Sequence, residues 1–329
     1  MDLTAFDVRL AEYCENNRIS GEIRLTVRDE ILYDKFFGFA DAEGRKPFSP
    51  GARFTLYSVT KPFTTLGLML LNDAGKVDID VHPSAYVPEA GGFDSRVTVR
   101  QLLLHESGIP DFEQTKEFFA KYPKQGNLRK QLTELSAYPS FFAPGEGCLY
   151  ANINFTLCAL IIENVSGMKY ADYMRANVLE PLGMKTAAFD DGQLTGLVCG
   201  SKLLNGKPVN ENRSVNYLYG AGDLTGTADD VYALNRAVKH RLLLRPETWN
   251  TVLTPAPASG FGMGCHVGTL NGHERIRHNG GHPGFRTLHL HLTKEDIDLI
   301  VLLNCESAEA RDAITEIFAE EILPAPGEC

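Results

Sequence analysis

The segment FTLYSVTKPFTTLGLMLLNDAG, Phe54 to Gly75, is apolar along most of its length, yet near its start it places a serine and a lysine three residues apart, Ser58 and Lys61. Positions i and i+3 of a helix lie about one turn apart on one face, so in a helix the hydroxyl and the amine can touch. Val59, Phe63, Leu66, Leu68, Met69, Leu70 and Leu71 occupy nearly every face, which predicts a buried helix. Pro62 is tolerated only in the first turn, so the helix must start close to Ser58. The hydroxyl then sits at the positive end of the helix dipole, where a developing anion is stabilised. Desolvation would push a lysine buried there towards its neutral form, and a neutral amine can take the serine proton. The alternative is that Ser58 only caps the helix, a role serine often fills. A second Ser-x-x-Lys, Ser166 to Lys169, follows the apolar run CALIIENV and reads as a helix end with its lysine in solvent.

A chain of 329 residues can form one large domain or two medium ones, and 43% apolar residues suffice for a sizeable core. The net charge of -10, with scattered basic residues, offers no positive surface to a phosphate backbone, so nucleic acid is excluded as a partner. The opening residues MDLTAFDVRLAEYCENNRIS carry early acids and an amphipathic helical pattern with Leu3, Phe6, Leu10 and Tyr13 on one side. That differs from a secretory leader, which has a basic start and a continuous apolar segment, and no stretch reaches transmembrane length. The expected address is the cytoplasm, with no membrane partner. Seven cysteines (Cys14, Cys148, Cys158, Cys199, Cys265, Cys305 and Cys329) are an odd number without CxxC spacing, which argues against a disulfide framework and against a zinc site.

Along the chain, GEIRLTVRDEILYDKFFGFADAEG reads as two strands around a turn near Arg28 to Glu30. From about residue 81 to 250 the pattern is mostly helical, in VTVRQLLLHESG, NFTLCALIIENVSG, YADYMRANVLEPLG and TADDVYALNRAV, the last opened by Thr227 with Asp230 as a capping acid. Strands return from about 260 in GFGMGCHVGTL, HERIRHNG, FRTLHLHLT and DLIVLLNCE, before a closing helix AEARDAITEIFAEEIL. Strands at both ends with helices between them predict an α/β (α+β) fold. One sheet domain is built from residues 1–80 and 251–329, and a mainly helical domain, 81–250, is inserted between them.

Ser58-Val-Thr-Lys61 is followed in order by LLLHESGIPDF, PGEGCLYANINFTLCALIIENVSG, NVLEPLGMKTAAF, GAGDLTGTADDV and HNGGHPGF. In this order the chain resembles the serine beta-lactamase and penicillin-binding-protein-like family, and more closely its class C beta-lactamase, D-aminopeptidase and esterase branch. The likeness runs from about residue 20 to the C-terminal strands; no single motif is specific, but six in order are. The resemblance implies an antiparallel sheet flanked by helices, with the site in the cleft beside the helical domain.

It further implies that Ser58 attacks a carbonyl to form an acyl-enzyme, with Lys61 as base. Tyr150-Ala-Asn152 matches the family's Tyr-x-Asn, so the Tyr150 phenol would relay the proton and Asn152 would donate to a substrate carbonyl. Taken alone, a tyrosine at a helix start is more often packing. The third element, Lys-Thr-Gly or His-x-Gly, has two registers here, His278-Asn-Gly280 and His282-Pro-Gly284. The first is preferred because Ile276 continues the strand alternation into His278, whereas Pro283 would disrupt it; His266-Val-Gly268 lacks the following glycines. The backbone N–H groups of Ser58 and Gly281 are then the expected oxyanion donors, with Gly280 and Gly281 allowing close approach of the substrate. His278 stands where beta-lactam-directed relatives carry a lysine. At an unperturbed pKa near 6.5 it would be mostly neutral at neutral pH and become charged below about that value, so anions should be held weakly.

The implied partner is a small ester or amide substrate, without metal or organic cofactor. D-specific peptidase or amidase, beta-lactamase and acyltransferase chemistry all use the same constellation. A non-catalytic binding relative would have lost Ser58, Lys61 or Tyr150. His289-Leu-His291 has a spacing compatible with a metal, but no third ligand accompanies it, and an exposed or helix-covered face is its expected explanation. His105 is expected to order the turn at Gly108, and Trp249 to pack in the core. The sequence carries no sign of the oligomeric state.

Overall fold

A computed structural model of the chain describes residues 1–111, 128–257 and 259–323. Its strands are β1 (Gly21–Val27), β2 (Glu30–Phe37), β3 (Phe54–Thr55), β4 (Ala188–Phe189), β5 (Gly200–Leu204) and β6 (Lys207–Glu211). They continue with β7 (Leu224–Gly226), β8 (Phe261–Gly262), β9 (Cys265–Leu270), β10 (His273–His282), β11 (Phe285–Leu292) and β12 (Ile297–Leu303). The helices used below are α1 (Thr4–Asn16), α2 (Thr60–Asp73), α3 (Asn152–Ser166), α4 (Tyr170–Met174), α5 (Ala228–Lys239), α6 (Pro246–Leu253) and α7 (Ala308–Glu321).

Strands from both ends of the chain form one seven-stranded sheet in the order β2-β1-β12-β11-β10-β9-β8, every neighbouring pair antiparallel. The Arg28-Asp29 turn between β1 and β2 has φ of +49° and +66°, the left-handed pair that suits a tight hairpin. On one face Ile23, Leu25, Leu288, Leu290, Leu299 and Val301 pack with Phe6 and Leu10 of α1 and with Ile314 and Phe318 of α7. The period-2 alternation sends the intervening residues to the opposite face, which α5 covers.

That second face is rich in buried polar groups, and each of those described next has a partner. Arg24 meets Asp34 at 2.7 Å and is paired with Asp229 of α5. His289 Nδ1 lies 3.0 Å from Asn235 Oδ1 of α5, and His291 Nδ1 lies 2.8 Å from Asp298 Oδ1 of β12. The two imidazoles thus serve a helix-covered face, and burial depresses His289 to about 3.

A second core surrounds α2, which is buried from Thr60 to Met69 and packs against α3, itself buried from Ile153 to Ile162. Ser166 ends α3, Gly167 follows with φ +71°, and Lys169 is exposed, so the second Ser-x-x-Lys is a helix terminus. Trp249 of α6 is buried in the same core, with Nε1 donating to the Leu242 carbonyl at 3.0 Å. The six described cysteines are free, and Cys329 lies outside the described residues, as does Phe112 of the LLLHESGIPDF motif. Among the described residues no helix is long and apolar enough to cross a membrane.

The sheet's apolar face should dominate stability. Leu299→Ala, at a fully buried position, is expected to cost about 2–5 kcal/mol in urea unfolding, whereas Ile31→Ala, at a position 48% exposed, should stay within about 0.5 kcal/mol of wild type. Equal effects would refute the packing described.

Candidate active site

Ser58 lies in a single 3-10 turn, Tyr57–Val59, that runs directly into α2 at Thr60. Tyr57 has φ +49°, a conformation a bulky residue holds only where its surroundings enforce it. Here its ring stacks on His282 at 5.6 Å, its hydroxyl donates to the Pro283 carbonyl at 3.3 Å, and the preceding Leu56 N–H bonds the Leu224 carbonyl at 2.9 Å. Neither the turn nor α2 has a side-chain cap, so Ser58 is not the helix cap. Its Oγ lies 3.0 Å from Lys61 Nζ.

Lys61 is 0% exposed, and its Nζ lies 2.8 Å from both Asn152 Oδ1 and the Ala221 carbonyl oxygen. It also sits 4.7 Å from the centroid of the Tyr150 ring. Three distant segments therefore converge on one amine. Asn152 opens α3, whose N-cap residue, Ala151, has no side chain able to cap. Asp111 does this from another part of the chain, its carboxylate accepting from Asn152 N at 2.5 Å and Ile153 N at 3.3 Å. Asp111 closes the HESGIPD stretch. Sequence reasoning gave it no role, because nothing local shows which helix a remote aspartate will cap.

His105 corrects an expectation. Rather than ordering the turn at Gly108, its ring packs 4.4 Å from that of Tyr150, and its Nδ1 accepts from Ala151 N at 3.2 Å. Both contacts fix the Tyr150 loop. The ring is buried, and burial, followed by the charge of Lys61, holds it well below the ordinary histidine value.

The third wall is β10. It pairs with β11 from Arg275 to His282 but with β9 only from His273 to Arg277, so among the described residues no strand lies beside its other edge from His278 onward. A Cβ at Gly280 would lie 2.0 Å from Thr287 Oγ1 and 2.2 Å from the Leu56 carbonyl oxygen. Only glycine permits this contact, which presses β10 against the segment leading to Ser58. Gly281 is exposed on the same stretch. His278 is buried with its ring 6.0 Å from that of Tyr150, whereas His282 ends the strand beneath Tyr57 and Gly284 lies in the following turn at φ +95°. His266 lies on β9 against Phe261, and burial lowers it to about 4.

His278 Nδ1 is 2.7 Å from its neighbour's carbonyl, Asn279 O, so that nitrogen carries the hydrogen and Nε2 the lone pair. Among the described residues the buried Nε2 has no hydrogen-bond partner. Burial, then the charge of Lys61, pushes His278 well below 6.5. The expected charging below about pH 6.5 is thereby overturned: the imidazole stays neutral, because burial strips the water that would solvate its charge and Lys61 repels a second cation.

The sequence profile of the beta-lactamase family matches residues 7–322. Penicillin-binding protein 4* of Bacillus subtilis is 27% identical over 337 residues, covering 94% of this chain and 73% of that protein. D-aminopeptidase of Brucella ovis is 28% identical over 319 residues, covering 91% of this chain but 58% of that longer protein. Among solved structures, a penicillin-binding protein from Bacillus halodurans superposes with a TM-score of 0.84 at 25% identity, over 94% of this chain and 98% of that one.

Gly280→Ala is expected to slow the reaction of Ser58 with a fluorophosphonate by about a hundredfold, since a displacement of about 1 Å at a reacting pair costs that much. Labelling at the wild-type rate in a folded variant would show that β10 and Leu56 can separate without consequence. The buried imidazoles also set an acid limit. Between pH 6.5 and their depressed folded values, the unfolded chain binds protons at His105 and His278 that the folded chain does not, so stability should fall as pH drops below 6.5. Urea midpoints at pH 7 and 5 measure this; a midpoint higher at pH 5 would contradict it.

Proposed function

Because the chain belongs to the beta-lactamase family and Lys61 bonds Ser58 directly, we propose that it is a serine hydrolase acting through an acyl-enzyme on small esters or amides. The contact set of Lys61 carries this reading. Asn152 Oδ1 and the Ala221 carbonyl can only accept. In its neutral, reactive form the amine can give its two hydrogens to those oxygens and turn its lone pair to the Ser58 hydroxyl. As Ser58 Oγ attacks the carbonyl carbon, its proton passes to Lys61 Nζ. The ammonium so formed passes that proton through the Tyr150 hydroxyl to the departing alcohol or amine; the attacking water then gives its proton to the same relay, which returns it to Ser58 Oγ as the acyl group leaves.

The oxyanion is assigned to the backbone N–H groups of Ser58 and Gly281. Successive amides of an antiparallel strand point to opposite edges, and the hairpin's closing pair, His282 with Phe285, bonds inward. This supports an outward Gly281 N–H on the edge without a strand. With Asn152 Oδ1 turned to Lys61, Nδ2 is the half of that amide left to meet the substrate.

Esters and amides without a carboxylate are the preferred substrates in this reading, because His278 is a neutral imidazole rather than a cation. The relatives' names favour D-amino-acid amides as the second substrate class and beta-lactams as the third. A panel of p-nitrophenyl esters, D-amino-acid amides and nitrocefin, with Ser58→Ala as blank, is expected to show ester turnover and much slower nitrocefin turnover. Their ratio should stay flat from pH 5.5 to 8 apart from changes that a His278→Gln variant shares. Efficient nitrocefin turnover would make the protein a beta-lactamase instead. Lys61→Ala and Tyr150→Phe should each lose several orders of magnitude, and the double variant little more than either; losses that multiply would mean the two act independently.

A further inference from the structure

The Ala221 carbonyl that holds Lys61 belongs to a turn from Leu218 to Leu224, and that turn is built with care for one position. Ala221 N and Gly222 N both bond the Leu218 carbonyl, at 2.7 and 2.8 Å. Gly220 has φ +70°, and a Cβ there would lie 2.5 Å from Ala159 Cβ of α3. From α2, the residues on either side of Lys61 support the turn at both ends. Thr64 Oγ1 donates to the Gly220 carbonyl at 2.6 Å, with the Tyr170 hydroxyl 2.7 Å away, and Thr60 Oγ1 accepts from Leu224 N at 3.1 Å. Within the turn itself a carboxyl group closes the ring: Asp223 Oδ1 accepts from Gly220 N at 3.0 Å. Asp223 is 1% exposed, and its own carbonyl accepts from Asp190 N at 2.7 Å.

We propose that Asp223 is the positioning residue for Lys61, fixing the turn whose Ala221 carbonyl holds the amine against Ser58. The proposal rests on the assignment of Ser58 and Lys61 above. It also gives Asp223 a second consequence, through charge. The groups facing its carboxyl are Lys61 from α2, Asp190 beyond β4, Tyr170 from α4, and Tyr219 within the turn, whose hydroxyl donates to Glu163 at 2.6 Å. Burial, with the negative charge of Asp190 adding to it and Lys61 opposing, pushes Asp223 up to about 8. Near neutral pH the carboxyl is therefore mostly protonated, and above about 8 it becomes an anion within electrostatic reach of Lys61. A neighbouring anion favours the ammonium form of the amine, and an ammonium cannot accept the Ser58 proton.

The test is the pH dependence of Ser58 labelling by a fluorophosphonate, and of p-nitrophenyl ester kcat/KM, from pH 6.5 to 9.5 in wild type, Asp223→Asn and Asp223→Ala. Asparagine keeps the acceptor for Gly220 N and cannot ionise. Asp223→Asn is expected to lose no more than about fivefold at pH 7 and to reach its activity plateau at a lower pH than wild type, whose ionised Asp223 holds Lys61 protonated to higher pH. Asp223→Ala leaves the Gly220 N–H without its acceptor and should lower kcat about ten- to a hundredfold with little change in KM, a loss that asparagine restores. Identical pH profiles for wild type and Asp223→Asn would overturn the proposal, as would a folded Asp223→Asn that is inactive at pH 7. Should Asp223→Ala fail to fold by circular dichroism, the asparagine profile decides alone. Absence of label on Ser58 in the wild type would instead defeat the serine-hydrolase reading itself.

Discussion

The burial of a single lysine amine governs the arrangement of this protein. Removing an ammonium from water costs several kcal/mol unless oxygen ligands replace the solvent. Lys61, fully buried, finds its oxygens on three segments far apart in the chain: Ser58, Asn152 and Ala221. Each segment is held by something other than the lysine. The strained Tyr57 is stacked on His282, Asp111 caps the helix that carries Asn152, and Thr60, Thr64 and Asp223 frame the turn that carries Ala221. The amine thus enters a preformed cradle that sets its orientation towards Ser58.

The same economy shapes the wall opposite. β10 comes close to Leu56 because Gly280 has no side chain, and its edge is open because β9 stops pairing at Arg277. His278 sits where this edge meets the Tyr150 ring, too deeply buried to carry charge. Two neutral imidazoles, His105 and His278, therefore flank a tyrosine beside a buried amine.

The fold was legible where a pattern is local. Alternation in FRTLHLHLT and DLIVLLNCE marks strands, and the apolar helix after Ser58 must be buried wherever it goes. The Arg28-Asp29 turn also lies where the text places it. The His289 and His291 pair was ambiguous for the same reason: spacing puts two rings on one face of a strand, but only tertiary structure says that α5 covers that face.

The sequence by itself determined that a serine and a lysine share the head of a buried helix, because i and i+3 spacing and Pro62 act within one turn of backbone. It equally determined that a histidine followed by paired glycines, His278 with Gly280 and Gly281, lies on a strand. What only the tertiary structure decided is everything that acts between distant segments. The cap that Asp111 supplies, the Ala221 carbonyl on Lys61, the packing of His105 on Tyr150 and the neutral state of His278 all depend on which residues meet across more than forty positions of chain. A backbone carbonyl is the same chemical group at every residue, so no side-chain pattern can announce which one will ligate an amine. Desolvation likewise is a property of the whole packed surroundings, and it moved His278 away from the value its own chemistry suggests.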